Sequence, residues 1–230
     1  MSDLVNLADI LATVPGITAV IGGGGKSTLL ATGGRGLAER GHRVMLATST
    51  HMFPASGIPL VERVDASDDR IVQVGTLDQT TGKLGAPKAS WSELAAAADH
   101  VLVEADGSRG LPFKAHNEYE PVIPEGCARV IYVVGASGFG RPVYDAVHRP
   151  QEFRRMTGVA AYEPATPQLV AQGICIEGLV GMPDDLVVVN QAESPESLEA
   201  ARAFARALMP VIDCPVYAGS LRSGALCRLA

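Results

Sequence analysis

Ile17-Thr18-Ala19-Val20-Ile21-Gly22-Gly23-Gly24-Gly25-Lys26-Ser27-Thr28 is the stretch that decides the fold of this chain. Its apolar, β-branched start reads as a buried strand, its glycines as a tight turn, and the residues from Lys26 onward as a helix. A glycine turn at this point lets several backbone N–H groups face one phosphate, and the helix N-terminus adds partial positive charge. The candidate phosphate ligands are Gly22, Gly23, Gly24, Gly25, Lys26, Ser27 and Thr28. Lys26 stands where a lysine reaches the β/γ oxygens, and Ser27 where a hydroxyl ligates Mg²⁺. Two rival readings fit less well. A glycine turn without a ligand leaves Lys-Ser-Thr at a helix start unexplained. A dinucleotide fingerprint beginning at Gly22 needs glycine where Ser27 stands, and the second strand ends in Thr48-Ser49-Thr50-His51, with no acid for a ribose hydroxyl.

Working outward, short runs rich in Val and Ile recur at 43–48, 71–74, 100–104, 129–134, 186–190 and 216–218. Near-continuous apolar strands separated by helical stretches imply a mostly parallel sheet with helices on both faces. The expected fold is therefore α/β, a doubly wound sheet of the P-loop nucleoside-triphosphatase type. The helix at 26–40 should close at Gly41, in the left-handed position. Gly33, Gly34 and Gly36 each cost that helix about 0.8–1 kcal/mol relative to alanine, which close packing against a neighbour would explain. Ser194 is placed to cap a helix with Pro195 at its first position; Leu198, Ala201, Ala205 and Leu208 share one face, and Pro210 stops it. Shorter helices are expected over 90–98 and 167–172. Residues 107–125, with three prolines and mixed charge, read as a long loop of the functional kind.

The composition, 47% hydrophobic and 19% charged over 230 residues, suits one domain spanning 1–230 with no internal repeat or linker. A net charge of −6 with no Lys/Arg run argues against nucleic acid as the main partner. It does not argue against a nucleotide, whose phosphates need only a few N–H groups and one lysine. Cys127, Cys175, Cys214 and Cys227 are too scattered for a zinc framework or a redox pair and suit a reducing compartment. Met1-Ser2-Asp3-Leu4 lacks the basic start of a signal peptide, and the longest clean apolar run, 130–134, is too short to span a bilayer. A cytoplasmic protein is expected, with no membrane partner.

Further candidates follow from position. The strand at 100–104 ends in Glu104-Ala105-Asp106. In a phosphate-loop fold an acid here holds Mg²⁺, directly or through water, while a second orients an attacking group. Alternation puts Glu104 and Asp106 on one side and leaves open which binds the metal. Thr48 and His51 fall at the carboxyl end of the second strand, beside the loop, where a substrate or the γ-phosphate would lie. Asn190-Gln191-Ala192-Glu193 occupies the place of the Asn-Lys-x-Asp of guanine-specific enzymes, with glutamine for lysine and glutamate for aspartate. Asn190 is a candidate nucleotide contact, and ATP versus GTP stays open. Arg109, Lys114 and His116 bring charge just after the acidic pair, as a receptor for an anionic second substrate would.

The loop itself is shortened. The standard G-x-x-x-x-G-K-[ST] would put glycine at Val20; the G-x-x-G-K-S beginning at Gly22 resembles the ATP loop of the peptidoglycan-precursor (Mur) ligases. Taken together, Val20–Thr28, Thr48-Ser-Thr-His-Met, Val103-Glu-Ala-Asp-Gly-Ser-Arg-Gly-Leu-Pro-Phe-Lys, Glu120-Pro-Val-Ile-Pro and His148-Arg-Pro-Gln-Glu-Phe resemble the YqeC family of selenium-dependent hydroxylase accessory proteins. The resemblance implies a part in maturing molybdenum hydroxylases, with such a hydroxylase as client. It places the family's loop on 22–28, its acidic motif on Glu104 and Asp106, and its basic residues on Arg109 and Lys114. The resulting expectation is a Mg²⁺-dependent nucleoside-triphosphate-binding protein, a hydrolase or phosphoryl transferase with Lys26, Glu104 and Asp106 as catalytic residues. The alternatives are a nucleotide-switched cofactor-insertion protein with little turnover of its own, and a module that binds a phosphorylated metabolite.

Overall fold

The computed structural model describes residues 4–65 and 67–229. Met1, Ser2 and Asp3, on which the reading of the N-terminus rests, lie outside the described residues. The main sheet is built from β1 (Leu4–Asn6), β2 (Gly16–Gly22), β3 (Val44–Thr48), β4 (Leu60–Val61), β5 (Ile71–Val74), β6 (His100–Glu104), β7 (Cys127–Gly135), β8 (Leu186–Asn190), β9 (Val216–Ser220) and β10 (Ala225–Arg228). Their order across the sheet is β1-β10-β9-β8-β7-β2-β6-β3-β5-β4. Pairing is parallel except where β10 runs antiparallel to β9 and β1. The strand with the glycine loop thus lies near the centre, flanked by β7 and by β6, which ends in Glu104.

Seven helices accompany it: α1 (Leu7–Ala12), α2 (Lys26–Glu39), α3 (Trp91–Ala97), α4 (Val143–Ala146), α5 (Pro150–Thr157), α6 (Pro167–Glu177) and α7 (Pro195–Leu208) among the described residues. Side-chain alternation along the strands divides the core. Val20, Leu46, Leu102, Val133 and Val188 face α1 and α2, with Leu11, Leu30 and Leu37 among their neighbours. Ala19, Ile21, Tyr132, Val134 and Val189 face α6 and α7 on the opposite side, and Met45, Val101 and Val103 pack with Leu94 of α3. The fold is the doubly wound α/β arrangement expected. No helix among the described residues is long and apolar enough to cross a membrane.

Each strand expected from an apolar run is present, with β2, β7 and β9 extending a residue or two beyond it. The helix expected at 167–172 continues to Glu177. The glycines of α2 mark close approaches. A Cβ on Gly36 would lie 2.7 Å from that of Ala8, one on Gly33 would overlap Leu11, and one on Gly34 would lie 2.9 Å from Leu46 and Ile71. The helix is wedged between α1 and the sheet. It ends as expected at Gly41, whose φ is +92°; the N–H groups of Gly41 and His42 donate to Ala38 O and Leu37 O at 3.0 and 3.2 Å. Gly33→Ala should therefore destabilise the protein by about 1–3 kcal/mol from overpacking, although alanine is the better helix former. A midpoint in urea equal to or above wild type would contradict that packing.

Residues 107–125 are less open than the sequence suggests. Phe113–Lys114 forms a parallel two-stranded pair with Val147–His148, and Phe113, Lys114, Ala115 and His116 are all buried. The loop is pinned across the top of the sheet, against the glycine turn.

Candidate nucleotide-binding site

The glycine turn adopts backbone that side chains disfavour: φ is +91° at Gly22, +77° at Gly24 and +138° at Gly25. A Cβ on Gly24 would overlap the backbone of Gly135. The turn's first N–H groups are spent inside the protein. Gly22 N–H donates to Asp106 Oδ2 at 2.8 Å, and those of Gly23 and Gly24 donate to Val133 O and Leu111 O at 2.9 and 3.0 Å. The expectation that Gly22, Gly23 and Gly24 point their N–H groups at a phosphate is corrected: the turn packs against neighbouring strands and uses those donors to do so. The N–H groups of Gly25, Lys26, Ser27 and Thr28 meet no acceptor among the described residues, and no side chain caps α2. The free donors of this site are the first turn of α2.

Lys26 is only 4% exposed. Its Nζ lies 3.0 Å from Asp106 Oδ1 and donates to Gly22 O at 2.7 Å and Ser108 Oγ at 3.2 Å. Asp106 is wholly buried and also meets His116 Nε2 at 2.6 Å, with Lys114 Nζ 3.8 Å away. Burial alone would raise the Asp106 pKa, but the hydrogen bond from His116 and the charges of Lys26 and Lys114 outweigh it and bring it down to about 2. Asp106 is thus an ionised hub that holds the loop's first N–H and its lysine in place.

Glu104 is different. It accepts one hydrogen bond from Ser27 Oγ at 2.8 Å, and burial pushes its carboxyl above the usual carboxylate range despite Lys26 nearby. The strand therefore aims both acids at the loop, but only Glu104 stands beside the Ser27 hydroxyl.

The other expected residues divide. Thr48 is buried, donating to Glu104 O at 2.8 Å, so its hydroxyl fixes the acidic strand end and is not offered to a substrate. His51 is exposed on a small antiparallel patch with Gly85, away from the loop contacts described. Lys114, 4% exposed, donates to Gly107 O at 2.6 Å and Glu120 Oε2 at 2.7 Å. It is a structural cation, and its expected role as an anion receptor is corrected; the apolar Leu111-Pro112-Phe113 before it carried the signal of burial. Arg109 is exposed and makes no hydrogen bond or ion pair among the described residues.

Asn190 does reach the loop. Its Nδ2 donates to Gly24 O at 2.7 Å and its Oδ1 accepts from Leu221 N–H at 2.9 Å, so it ties β8, the glycine turn and the end of β9 together. Beside it, Gly25, Thr28, Gly110, Gln191, Glu193 and Arg222 line a cavity of about 400 Å³. A larger one, about 650 Å³, lies at the other end of β7 near Arg129 and Asp185 and contains none of these groups.

A family model described as YqeC protein matches residues 18–151, more than half of the chain. The chain belongs to the YqeC family. YqeC from Escherichia coli (strain K12) is 33% identical over 167 residues, covering 63% of this chain and 62% of that protein. The alignment thus spans about three-fifths of that relative's length. Among solved structures, FtsY from Mycoplasma mycoides superposes with a TM-score of 0.46 at 12% identity, over 92% of this chain and 62% of that one. A second crystal structure of it gives 0.41 at 13% identity, over 93% and 63%.

The YqeC match takes in the glycine turn, both acids and the pinned loop, and stops before Asn190. A relay that sequence reasoning missed runs from the matched residues His116 and Tyr132 to Glu177, which lies outside the match. His116 Nδ1 lies 3.0 Å from Glu177 Oε2, and Tyr132 Oη donates to the same oxygen at 3.1 Å. Burial opposes a charge on His116, yet its bonds to Asp106 and Glu177 raise its pKa. Glu177 is 61 residues away in sequence, so no spacing pattern announces it.

Proposed function

We propose that this YqeC protein acts in the cytoplasm, binding a nucleoside triphosphate with Mg²⁺ and hydrolysing it or transferring its phosphoryl group. The observation that carries this reading is the uncapped first turn of α2, which presents free N–H groups at 25–28 beside a lysine held in place by Asp106, Gly22 O and Ser108. The cavity bordered by Gly25, Asn190 and Glu193 leaves room for the ribose and base, ATP or GTP. Ser27 and Glu104 offer two hard oxygen donors side by side, which suits Mg²⁺. When bound, the ion supplies charge neutralisation on the phosphate oxygens. Asp106, already engaged by four groups, acts by positioning Lys26 and the turn.

Glu104→Gln tests the assignment. Keeping a buried carboxylate ionised costs stability at neutral pH, so the amide should raise the Tm of Mg²⁺-free protein by roughly 2–4 °C per kcal/mol recovered. The same variant should need at least about tenfold more Mg²⁺ to bind nucleotide, a loss of about 1.4 kcal/mol. Calorimetric titration with ATP and GTP at several Mg²⁺ concentrations reads this. An unchanged Mg²⁺ requirement removes Glu104 from the metal site.

A second reading is favoured by Asp106 itself. Its Oδ2 is taken by Gly22 N–H and His116, and its buried Oδ1 lies against the Lys26 ammonium, so it is not free to activate an attacking group and turnover by the protein alone should be slow. That fits a nucleotide-switched accessory protein whose client, by the family resemblance, is a molybdenum hydroxylase. Stimulation of turnover by added apo-hydroxylase separates it from a self-sufficient enzyme.

A further inference from the structure

Three non-glycine residues among those described have positive φ: Arg109 at 51°, Arg149 at 64° and Gln191 at 63°. Such backbone is uncommon outside glycine and persists where its surroundings impose it. Gln191 lines the nucleotide cavity. Arg109 and Arg149 line a different one, about 550 Å³ in volume, together with Leu111, Tyr144, His148 and Pro150. The two cavities are separated by the strap at 109–111. On one side Gly110 borders the nucleotide cavity, while the strap is fastened at both ends to the loop. Ser108 Oγ accepts from Lys26 Nζ at 3.2 Å, and Leu111 O accepts from Gly24 N–H at 3.0 Å.

We propose that Arg109, His148 and Arg149 form the binding site for an oxyanion group, phosphate or carboxylate, of a second substrate that sits across this strap from the nucleotide. This inference rests on the nucleotide reading for its meaning but not for its geometry. The pairing of Phe113–Lys114 with Val147–His148, reinforced by Ala115 N–H donating to His148 O at 3.0 Å, brings Arg149 round to face the strap. Arg109 has no partner among the described residues. Arg149 shares the carboxylate of Glu120, at 2.9 Å, with Lys114, while its Nε is buried and unbonded. Two cations thus share one carboxylate here, and Arg109 beside them has none, in a chain whose net charge is −6. The His148 ring makes no hydrogen bond to the described protein. Burial, with Lys114, Arg149 and Arg109 nearby, lowers its pKa to about 4, so at neutral pH it adds a donor without further repulsion. Guanidinium pairs of this kind suit planar or tetrahedral oxyanions.

The test uses the full chain. Protein saturated with Mg²⁺ and a non-hydrolysable nucleotide, so that the loop is filled, is titrated calorimetrically with inorganic phosphate and, separately, with malonate. Saturable binding of either probe is expected, and the one that binds identifies the oxyanion class. Arg109→Gly suits the positive φ and so should leave the fold and nucleotide affinity intact while weakening the probe at least about tenfold. Arg149→Gly should do the same. If neither probe saturates the wild type, or if Arg109→Gly and Arg149→Gly both bind as wild type does, the proposal is overturned. If nucleotide fails to bind at all, the nucleotide reading falls separately and the nucleotide-free protein is titrated instead. Weakening by Arg109→Gly still supports the pocket there, and weakening only by Lys26→Met places the probe on the loop and overturns it.

Discussion

Asp106→Asn is expected to destabilise the protein by about 3–5 kcal/mol, the usual cost of leaving buried charges without their partner. The carboxylate faces Lys26 at 3.0 Å, His116 at 2.6 Å and Lys114 at 3.8 Å, and an amide neutralises none of them. Equilibrium unfolding in urea at pH 7 measures the effect, and a loss below about 1 kcal/mol would mean the hub is not energetically central. The pH dependence carries the same signature. Because the Asp106 pKa is depressed to about 2, its contribution is present above its unfolded value of about 3.9 and is lost as pH falls through the folded one. His116 is raised from 6.5, so its contribution is complete below that value and is lost as pH rises through the folded one. Stability should therefore plateau between about pH 4 and 6.5. Asp106→Asn should flatten the acid limb, and His116→Gln the alkaline one.

Lys26→Met should weaken nucleotide binding at least about a hundredfold, some 2.8 kcal/mol, because it removes an ammonium set beside the free N–H groups of α2. The first turn of a helix would ordinarily be outside the core, and a purely local loss would follow. Here Lys26 is buried against Asp106, so methionine should also lower stability by a few kcal/mol. The double variant Lys26→Met/Asp106→Asn separates the two effects. It should recover part of the stability, since the unpaired carboxylate is gone, and recover none of the binding. A stable double variant that binds ATP or GTP like wild type would remove the lysine from the site.

The strands were legible because each central one is buried on both faces and so reads as an unbroken apolar run, as in Leu186-Val187-Val188-Val189 of β8. The edge strands β1 and β4 are short, and Leu4–Asn6 is flanked at once by α1, which leaves no periodicity to count. At the site, the proximity of Ser27 and Glu104 beside Lys26 was legible because a strand–turn–helix unit fixes residue types at fixed offsets. The roles of Asp106, Lys114, Asn190 and His116 depend on partners such as Gly22, Glu120, Gly24 and Glu177. Apart from Glu120, these lie tens of residues away, and which polar side chain is spent internally is decided by packing.

The pairing of β1 with β10 joins Leu4 to Cys227 and Asn6 to Ala225, which sets an order of events during synthesis. Leu4–Asn6 emerges early but has no strand to lie against until Ala225–Arg228 has been made, roughly 10–45 s later at 5–20 residues per second. Leu7, Ile10 and Leu11 of the adjoining α1, which are buried in the finished core, find their partners sooner, first α2 and then Arg129, whose guanidinium bonds Ile10 O and Leu11 O. The segment at β1 is thus the last piece of sheet to be closed, and nascent chains stalled before β10 should show it open to protease while β2, β3 and β6 are already protected.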